Sequence, residues 1–257
     1  MIFYFSGTGN SEYIANLLAE RTHEEAINIA DCVKKSKDVF KLKKGERLGF
    51  VYPVYCWGLP EIVEKFVKNT RFEFYGKHYT YSVATCGVAT GRADEDLADI
   101  LEKKKIPMHA TFAIKMVDNY TPVFYVGNKE KNQKVNDKAE ETIKDMLFMV
   151  GAKVGGYYNK RRGVWPVSRL VHKSYNIVRL TKPFEVSNSC IGCGKCADNC
   201  PTGTIAMKDG KPVWTNRRCT MCLACLHRCP KNAISYGFTT KKKGQYVFED
   251  KSEREEV

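Results

Sequence analysis

Eight of the eleven cysteines in this 257-residue chain fall between Cys190 and Cys229, in two runs of one pattern. Cys190-Ile-Gly-Cys193-Gly-Lys-Cys196-Ala-Asp-Asn-Cys200-Pro201 recurs 29 residues later as Cys219-Thr-Met-Cys222-Leu-Ala-Cys225-Leu-His-Arg-Cys229-Pro230. Each run leads into a similar tail, Thr204-Ile205-Ala206 and Ala233-Ile234-Ser235, so the segment reads as two half-domains related by a pseudo-two-fold axis. The opening MIFYFSGTGN has neither a basic n-region nor a small-residue cleavage site and is not expected to be a secretory signal. Without export to an oxidising compartment, so dense a cluster serves metal rather than disulfides, and a cytoplasmic location is expected.

In C-x2-C-x2-C-x3-C-P, three close thiolates hold three irons of one cubane and the fourth reaches the other cluster. The pattern thus assigns Cys190, Cys193, Cys196 and Cys229 to one [4Fe–4S] cluster. Cys219, Cys222, Cys225 and Cys200 make a second. Gly192 and Gly194 let the first loop wrap tightly, and Pro201 and Pro230 end the runs without leaving an N–H unpaired. Structural zinc, which wants pairs of C-x2-C, is the weaker reading. With a thiolate on every iron, both clusters are expected to carry electrons rather than bind substrate.

The first 150 residues read differently. Short apolar strands are expected at 2–5, 25–30, 48–55, 79–85 and 111–116, with helices at 12–21, after Gly58-Leu59-Pro60, at 94–105 and at 131–150. Strands alternating with helices argue for a parallel sheet covered on both faces. Residues 151–185 form a basic connector: from Gly151 to Phe184 there are eight Lys and Arg and no acid. Val164, Val167, Val171, Tyr175 and Val178 mark an amphipathic helix that packs one face on a domain. A small domain is expected over 186–238 and a polar, peripheral tail over 239–257. No run of about 18 apolar residues exists, so no transmembrane segment is expected.

Three loops follow predicted strands. Ser6-Gly7-Thr8-Gly9-Asn10-Ser11 opens the first helix, and its glycines, hydroxyls and helix N-terminus suit a dianion. It is neither G-x4-G-K-[ST] nor G-x-G-x-x-G. A phosphate held by hydroxyls and backbone alone suits flavin mononucleotide (FMN), and NAD(P)H is disfavoured. Pro53-Val54-Tyr55-Cys56-Trp57-Gly58 supplies aromatic rings for stacking, and Thr85-Cys86-Gly87-Val88-Ala89-Thr90-Gly91 supplies flexible backbone. All lie at carboxyl ends of strands, where open α/β sheets bind ligands. Cys56 and Cys86 read as small packing residues and Cys32 as inert. Trp165 and Trp214 read as packing residues, and His172 and His227 as surface or supporting groups.

On these motifs the first 150 residues resemble a flavodoxin, and residues 186–238 resemble a bacterial ferredoxin with two [4Fe–4S] clusters. The order resembles the flavodoxin–ferredoxin fusion ("ferrodoxin") family. The resemblance implies a doubly wound five-stranded parallel sheet of order 2-1-3-4-5 with FMN at its switch point, followed by a small α+β domain. It implies that Tyr55 or Trp57 flanks the isoalloxazine and that Asp118-Asn119-Tyr120-Thr121-Pro122 adds to the flavin rim.

The chain departs from the acidic character of simple flavodoxins and ferredoxins. Its formal charge is +13, falling to about +7 once two clusters and a phosphate at about −2 each are counted. Val186 to Phe238 holds seven bases against two acids. Lys195, Arg217, Arg218 and Arg228 are placed to raise cluster potentials. A basic surface steers acidic redox proteins, a ferredoxin or flavodoxin, toward the chain. No nucleic-acid motif accompanies the charge, so nucleic acid is not expected as a partner; anionic lipid at the connector is a minor alternative. Two functions stay open. One is an oxidoreductase that gathers single electrons through the clusters for a small acceptor at the flavin. The other is an adaptor relaying electrons only between proteins.

Overall fold

The computed structural model describes residues 1–163 and 165–249, the side chain of Trp165 excepted. Val164 of the connector's apolar stripe and the last part of the tail, 250–257, lie outside the described residues.

Apolar runs buried on both faces build a parallel sheet. β1 (Ile2–Tyr4) is followed by α1 (Asn10–Thr22) and pairs with β2 (Ala26–Asn28). After α2 (Ile29–Lys34) and β3 (Val39–Leu42), β4 (Arg47–Pro53) pairs with the other edge of β1. α3 (Glu61–Asn69) and β5 (Arg71–Phe74) lead to β6 (Tyr79–Cys86), every residue of which is buried. α4 (Ala93–Lys103), β7 (Ala110–Lys115), α5 (Lys129–Gly151) and β8 (Gly156–Tyr157) complete this half.

The sheet order is β2-β1-β4-β6-β7-β8, parallel at every pairing. Its first five members reproduce the order 2-1-3-4-5 of the five expected strands. The sixth comes from residues beyond 150, so the sheet draws on part of the segment read as connector. A two-residue strand carries no periodicity, which is why the sequence does not show it. β3 and β5, also unforeseen, pair in parallel as a separate ribbon. Their Phe40, Leu42, Phe72 and Phe74 cover the core around Phe3, Phe50 and Phe66.

Alternation along β1 divides the core. Phe3 packs with α2, α3 and α4, whereas Ile2 and Tyr4 pack with α1 and α5. This three-layer arrangement leaves the loops after β1, β4, β6 and β7 at one end of the sheet.

α6 (Trp165–Val178) leads into the small domain. Its elements are β9 (Phe184–Val186), α7 (Lys195–Asp198), β10 (Ile205–Lys208), β11 (Lys211–Trp214), α8 (Ala224–His227) and β12 (Ile234–Tyr236). β12 pairs antiparallel with β9, and β10 with β11. Trp214 stacks on Phe184 at 4.6 Å between ring centroids and 5° between planes, the packing role expected of it.

The two halves share a core. Tyr55, Cys56 and Tyr120 of the first pack against Met221, Leu223 and Leu226 of the second, with Tyr175 of α6 between them. The Tyr175 hydroxyl donates to the Thr220 carbonyl at 2.7 Å. Arg179, just beyond α6, pairs with Glu61 at the start of α3, and its carbonyl accepts the Cys219 N–H at 3.1 Å. The connector therefore packs on both domains rather than one.

As far as residue 249 the tail is not peripheral. Tyr246 is 6% exposed, and its hydroxyl donates to Asn10 Oδ1 at 2.7 Å and accepts from Asn136 Nδ2 at 3.2 Å. Gln245 donates to the carbonyls of Leu226 and Cys229 at 2.6 and 2.9 Å. Phe248 stacks on Tyr13 and donates its N–H to the Thr8 carbonyl at 2.7 Å. The tail thus straps the small domain to the loop after β1.

Candidate functional site

The loops after β1, β4, β6 and β7 enclose a cavity of about 390 Å³, closed on its far side by α6 and by residues 221–223 of the small domain. That volume lies within the range of small-molecule sites. Five of the six residues in the first loop line it: Ser6, Gly7, Thr8, Asn10 and Ser11. Gly9 does not. It is the N-cap of α1 at φ +103°, with its N–H donated to Ser6 Oγ at 3.0 Å. A side chain there would also meet Phe248 of the strap at 2.9 Å, so glycine is required twice over.

Long-range bonds hold this loop open. Asn10 donates to the Val117 carbonyl at 3.3 Å, and Ser11 Oγ and Thr85 Oγ1 share a 2.8 Å bond. Asn119 donates to Thr8 Oγ1 at 2.5 Å. Hydroxyls of two loops and the Asn119 amide of a third therefore meet beside the first turn of α1, whose leading N–H groups have no intrahelical acceptor. Such a wall suits a phosphate.

The second loop forms a tight hairpin. Tyr55 and Gly58 exchange both backbone hydrogen bonds at 3.1 Å, and Cys56 and Trp57 take the left-handed conformation at φ +49° and +57°. Two such non-glycine residues in succession cost about 1–2 kcal/mol each. The turn persists because it is braced: the Trp57 carbonyl accepts the Arg92 N–H at 3.0 Å, and His172 of α6 occupies the space beside Gly58. Pro53, Val54, Tyr55, Cys56 and Trp57 line the cavity, whereas Gly58 faces His172. The Tyr55 ring lies 6.2 Å from that of Tyr175, and burial drives its hydroxyl well above the ordinary tyrosine value.

Thr85, Cys86 and Gly87 of the third loop also line the cavity. Any Cβ on Gly87 would fall 2.3 Å from an oxygen of Asp118, so the two loops touch there. The Asp118 carboxylate accepts the Tyr120 N–H at 3.0 Å, and burial raises its pKa. Thr90 and Asp94 are tied to the stretch before α6 through the Thr90 N–H to Arg161 carbonyl bond at 2.9 Å and the Arg162–Asp94 pair at 3.1 Å. Burial pushes the Cys86 thiol up to about 11, which leaves it a neutral packing group. The Cys56 thiol is also raised by burial, opposed by a hydrogen bond with Ser174.

Sequence reasoning missed the far wall. Val171, Ser174, Tyr175 and Val178 of α6, with Met221, Cys222 and Leu223, complete the cavity. The connector's apolar stripe was legible, but not what it covers. Cys222 is one of the eight repeat cysteines, and Gly7 abuts it so closely that a Cβ would stand 2.7 Å from its carbonyl.

The repeat cysteines divide into two sets. Cys190, Cys193, Cys196 and Cys229 surround one small cavity, and Cys200, Cys219, Cys222 and Cys225 surround another. Burial drives the Cys222 thiol up to about 12 and that of Cys219 up to about 11. Several sulfurs accept N–H bonds of 3.3 Å, from Thr204 to Cys200, Met221 to Cys219 and Ala233 to Cys229. Arg228 donates to the Gly7 carbonyl at 3.1 Å. His227, read as surface or supporting, is buried between the halves. Its Nδ1 accepts the Tyr246 N–H at 3.2 Å, so Nε2 carries the proton and donates to the Asn119 carbonyl at 2.8 Å.

Family models match residues 1–120 as a flavodoxin domain and residues 189–234 as a 4Fe-4S dicluster domain. The chain is a flavodoxin–ferredoxin fusion. Its domains make it an electron-transfer protein of the flavin and iron–sulfur kind. No curated protein matches this chain. Among solved structures, the Trp repressor binding protein from Bacillus subtilis is 12% identical, with a TM-score of 0.34 over 64% of this chain and 100% of that one. So slight a likeness carries no argument. No helix among the described residues is long and apolar enough to cross a membrane.

Proposed function

We propose that this fusion passes single electrons between two [4Fe–4S] clusters and FMN, from a reduced ferredoxin-type donor toward an acceptor at the flavin. The observation that carries the reading is one shared wall: Cys222, a cluster-type cysteine, lines the same cavity as the phosphate-type loop and the aromatic turn. Bound there, FMN supplies the exchange between one-electron and two-electron chemistry.

The residues fit these groups. Ser6, Thr8, Ser11 and Thr85 with the N-terminus of α1 form the phosphate end, and Tyr55 and Trp57 the ring end. Gly7 and Gly87 keep the walls close without side chains. The two cysteine sets are the ligand sets expected from the repeat, one per cluster.

The test is anaerobic purification with iron, sulfide and flavin analysis, followed by a redox titration read by absorbance and EPR. Four irons per cysteine set with one flavin are expected. Absence of flavin, or iron for only one set, would overturn the reading. Flavin taking both electrons at one potential supports paired delivery to a small acceptor; two well-separated potentials support the protein-to-protein relay.

A further inference from the structure

The two cysteine sets occupy unequal surroundings. Cys200, Cys219, Cys222 and Cys225 back onto the flavin cavity through Cys222 and are walled by Phe184, Trp214 and Leu223. None of Cys190, Cys193, Cys196 and Cys229 lines that cavity, and Cys193 is exposed. Beside it Ile191 is 60% exposed and Met207 is 38% exposed. The outer set is thus the one that an external protein can approach.

Four lysines surround this opening. Lys195 and Lys231 border the outer cysteines. Lys208 and Lys211 pair across the end of the β10–β11 hairpin, whose Gly210 carbonyl would stand 2.8 Å from a Cβ on Gly192 of the cysteine loop. All four are exposed. Lysine ion pairs among the described residues involve Lys41, Lys65, Lys68, Lys129, Lys134 and Lys241 instead. The acids on these elements are Asp198 and Asp209. A small apolar centre inside a rim of unpaired ammonium groups is complementary to a protein surface with an acidic rim.

The flavin mouth has different chemistry. Among the described residues no Lys, Arg or His lines that cavity; its exposed margin is Val88, Val123 and Phe124, with Lys243 donating to the Val123 carbonyl at 3.0 Å. An acidic carrier is therefore drawn to the lysine rim around the outer cysteines.

Resting on the iron–sulfur reading above, we infer that the face formed by Ile191, Cys193, Lys195, Met207, Lys208, Lys211 and Lys231 is the docking site of an acidic one-electron carrier protein. The carrier loses one electron and the iron held by the outer cysteines gains it, with no bond or proton moved. The experiment is stopped-flow reduction of the anaerobic full-length protein by a reduced acidic two-cluster ferredoxin, across ionic strength. The second-order rate constant is expected to fall as salt rises. The double variant Lys195→Glu/Lys231→Glu is expected to be about ten-fold slower at low salt, the lower end of electrostatic steering. It should equal the unmodified protein at high salt and with a neutral photoreductant. Arg169→Glu/Lys173→Glu on α6 should leave the ferredoxin rate unchanged. A rate indifferent to salt, or slowed by the α6 pair and not by the outer lysines, would overturn the assignment. Iron and flavin analysis of every sample separates these results from failure of the cofactor reading itself.

Discussion

Gly7→Ala tests the contact between the flavodoxin loop and the cysteine loop, because the added methyl has nowhere to go. Built on the present backbone, its Cβ lies 2.7 Å from the Cys222 carbonyl oxygen and 3.1 Å from Cys222 Cβ, whereas ordinary contacts begin at 3.4 Å. The backbone oxygen cannot swing aside as a long side chain would. The loops must separate by about 0.7 Å at the tighter contact, an overpacking strain of about 1–3 kcal/mol. If Ser6–Thr8 retreats, strain of that size weakens flavin binding by about 5- to 150-fold. If the Cys222 loop retreats instead, the small domain loses part of its seat and unfolds at lower temperature. The assay is FMN titration of the deflavinated variant by fluorescence, with thermal unfolding of the same sample. An affinity within two-fold of the parent together with an unchanged unfolding temperature would refute the close apposition of the two domains.

Three further outcomes follow from the same geometry. Tyr246→Phe leaves Asn10 Oδ1 without the buried hydroxyl that donates to it; a loss of about 1–3 kcal/mol is expected in denaturant unfolding, with weakened flavin retention, and an unchanged midpoint would remove the strap from the stability of the site. Cys56→Gly relieves the left-handed strain at φ +49° and should hold or raise stability by up to about 1 kcal/mol with flavin retained; loss of flavin would give the thiol a role beyond packing. Glu61 is lifted by partial burial but held below the ordinary carboxylate range by Arg179 and Lys65, which outweigh it. Its folded pKa being depressed, its contribution is present above the unfolded glutamate value and lost as pH falls through the folded one. Unfolding measured from neutral to acid pH should show a steeper loss of stability in the parent than in Glu61→Gln, and parallel curves would sink this account.

The chain order alone marked out much of the protein. The cysteine runs are legible because metal ligation demands set spacings along a short segment, and the division of eight cysteines into two sets follows from that spacing. The phosphate-type loop is legible for the same reason: Ser6 to Ser11 is a local turn onto a helix, determined by its glycines and hydroxyls. Alternating apolar strands and helices carried the parallel sheet, and its order came from the resemblance to flavodoxins. What the sequence could not show lies between elements far apart in the chain. Tyr246 reaches Asn10 across 236 positions, and no periodicity encodes that bond. The stripe on α6 was visible as apolar, but only packing decided that Val171 and Tyr175 would close a cavity instead of covering one domain. Cys222 was legible as one of the repeat cysteines, yet its place in the wall of the flavodoxin cavity depends on how two cores meet. Local chemistry sets which groups each domain can hold; the shared core around Tyr55, Tyr175 and Leu223 places one inner cysteine set against the cavity and leaves the other facing solvent.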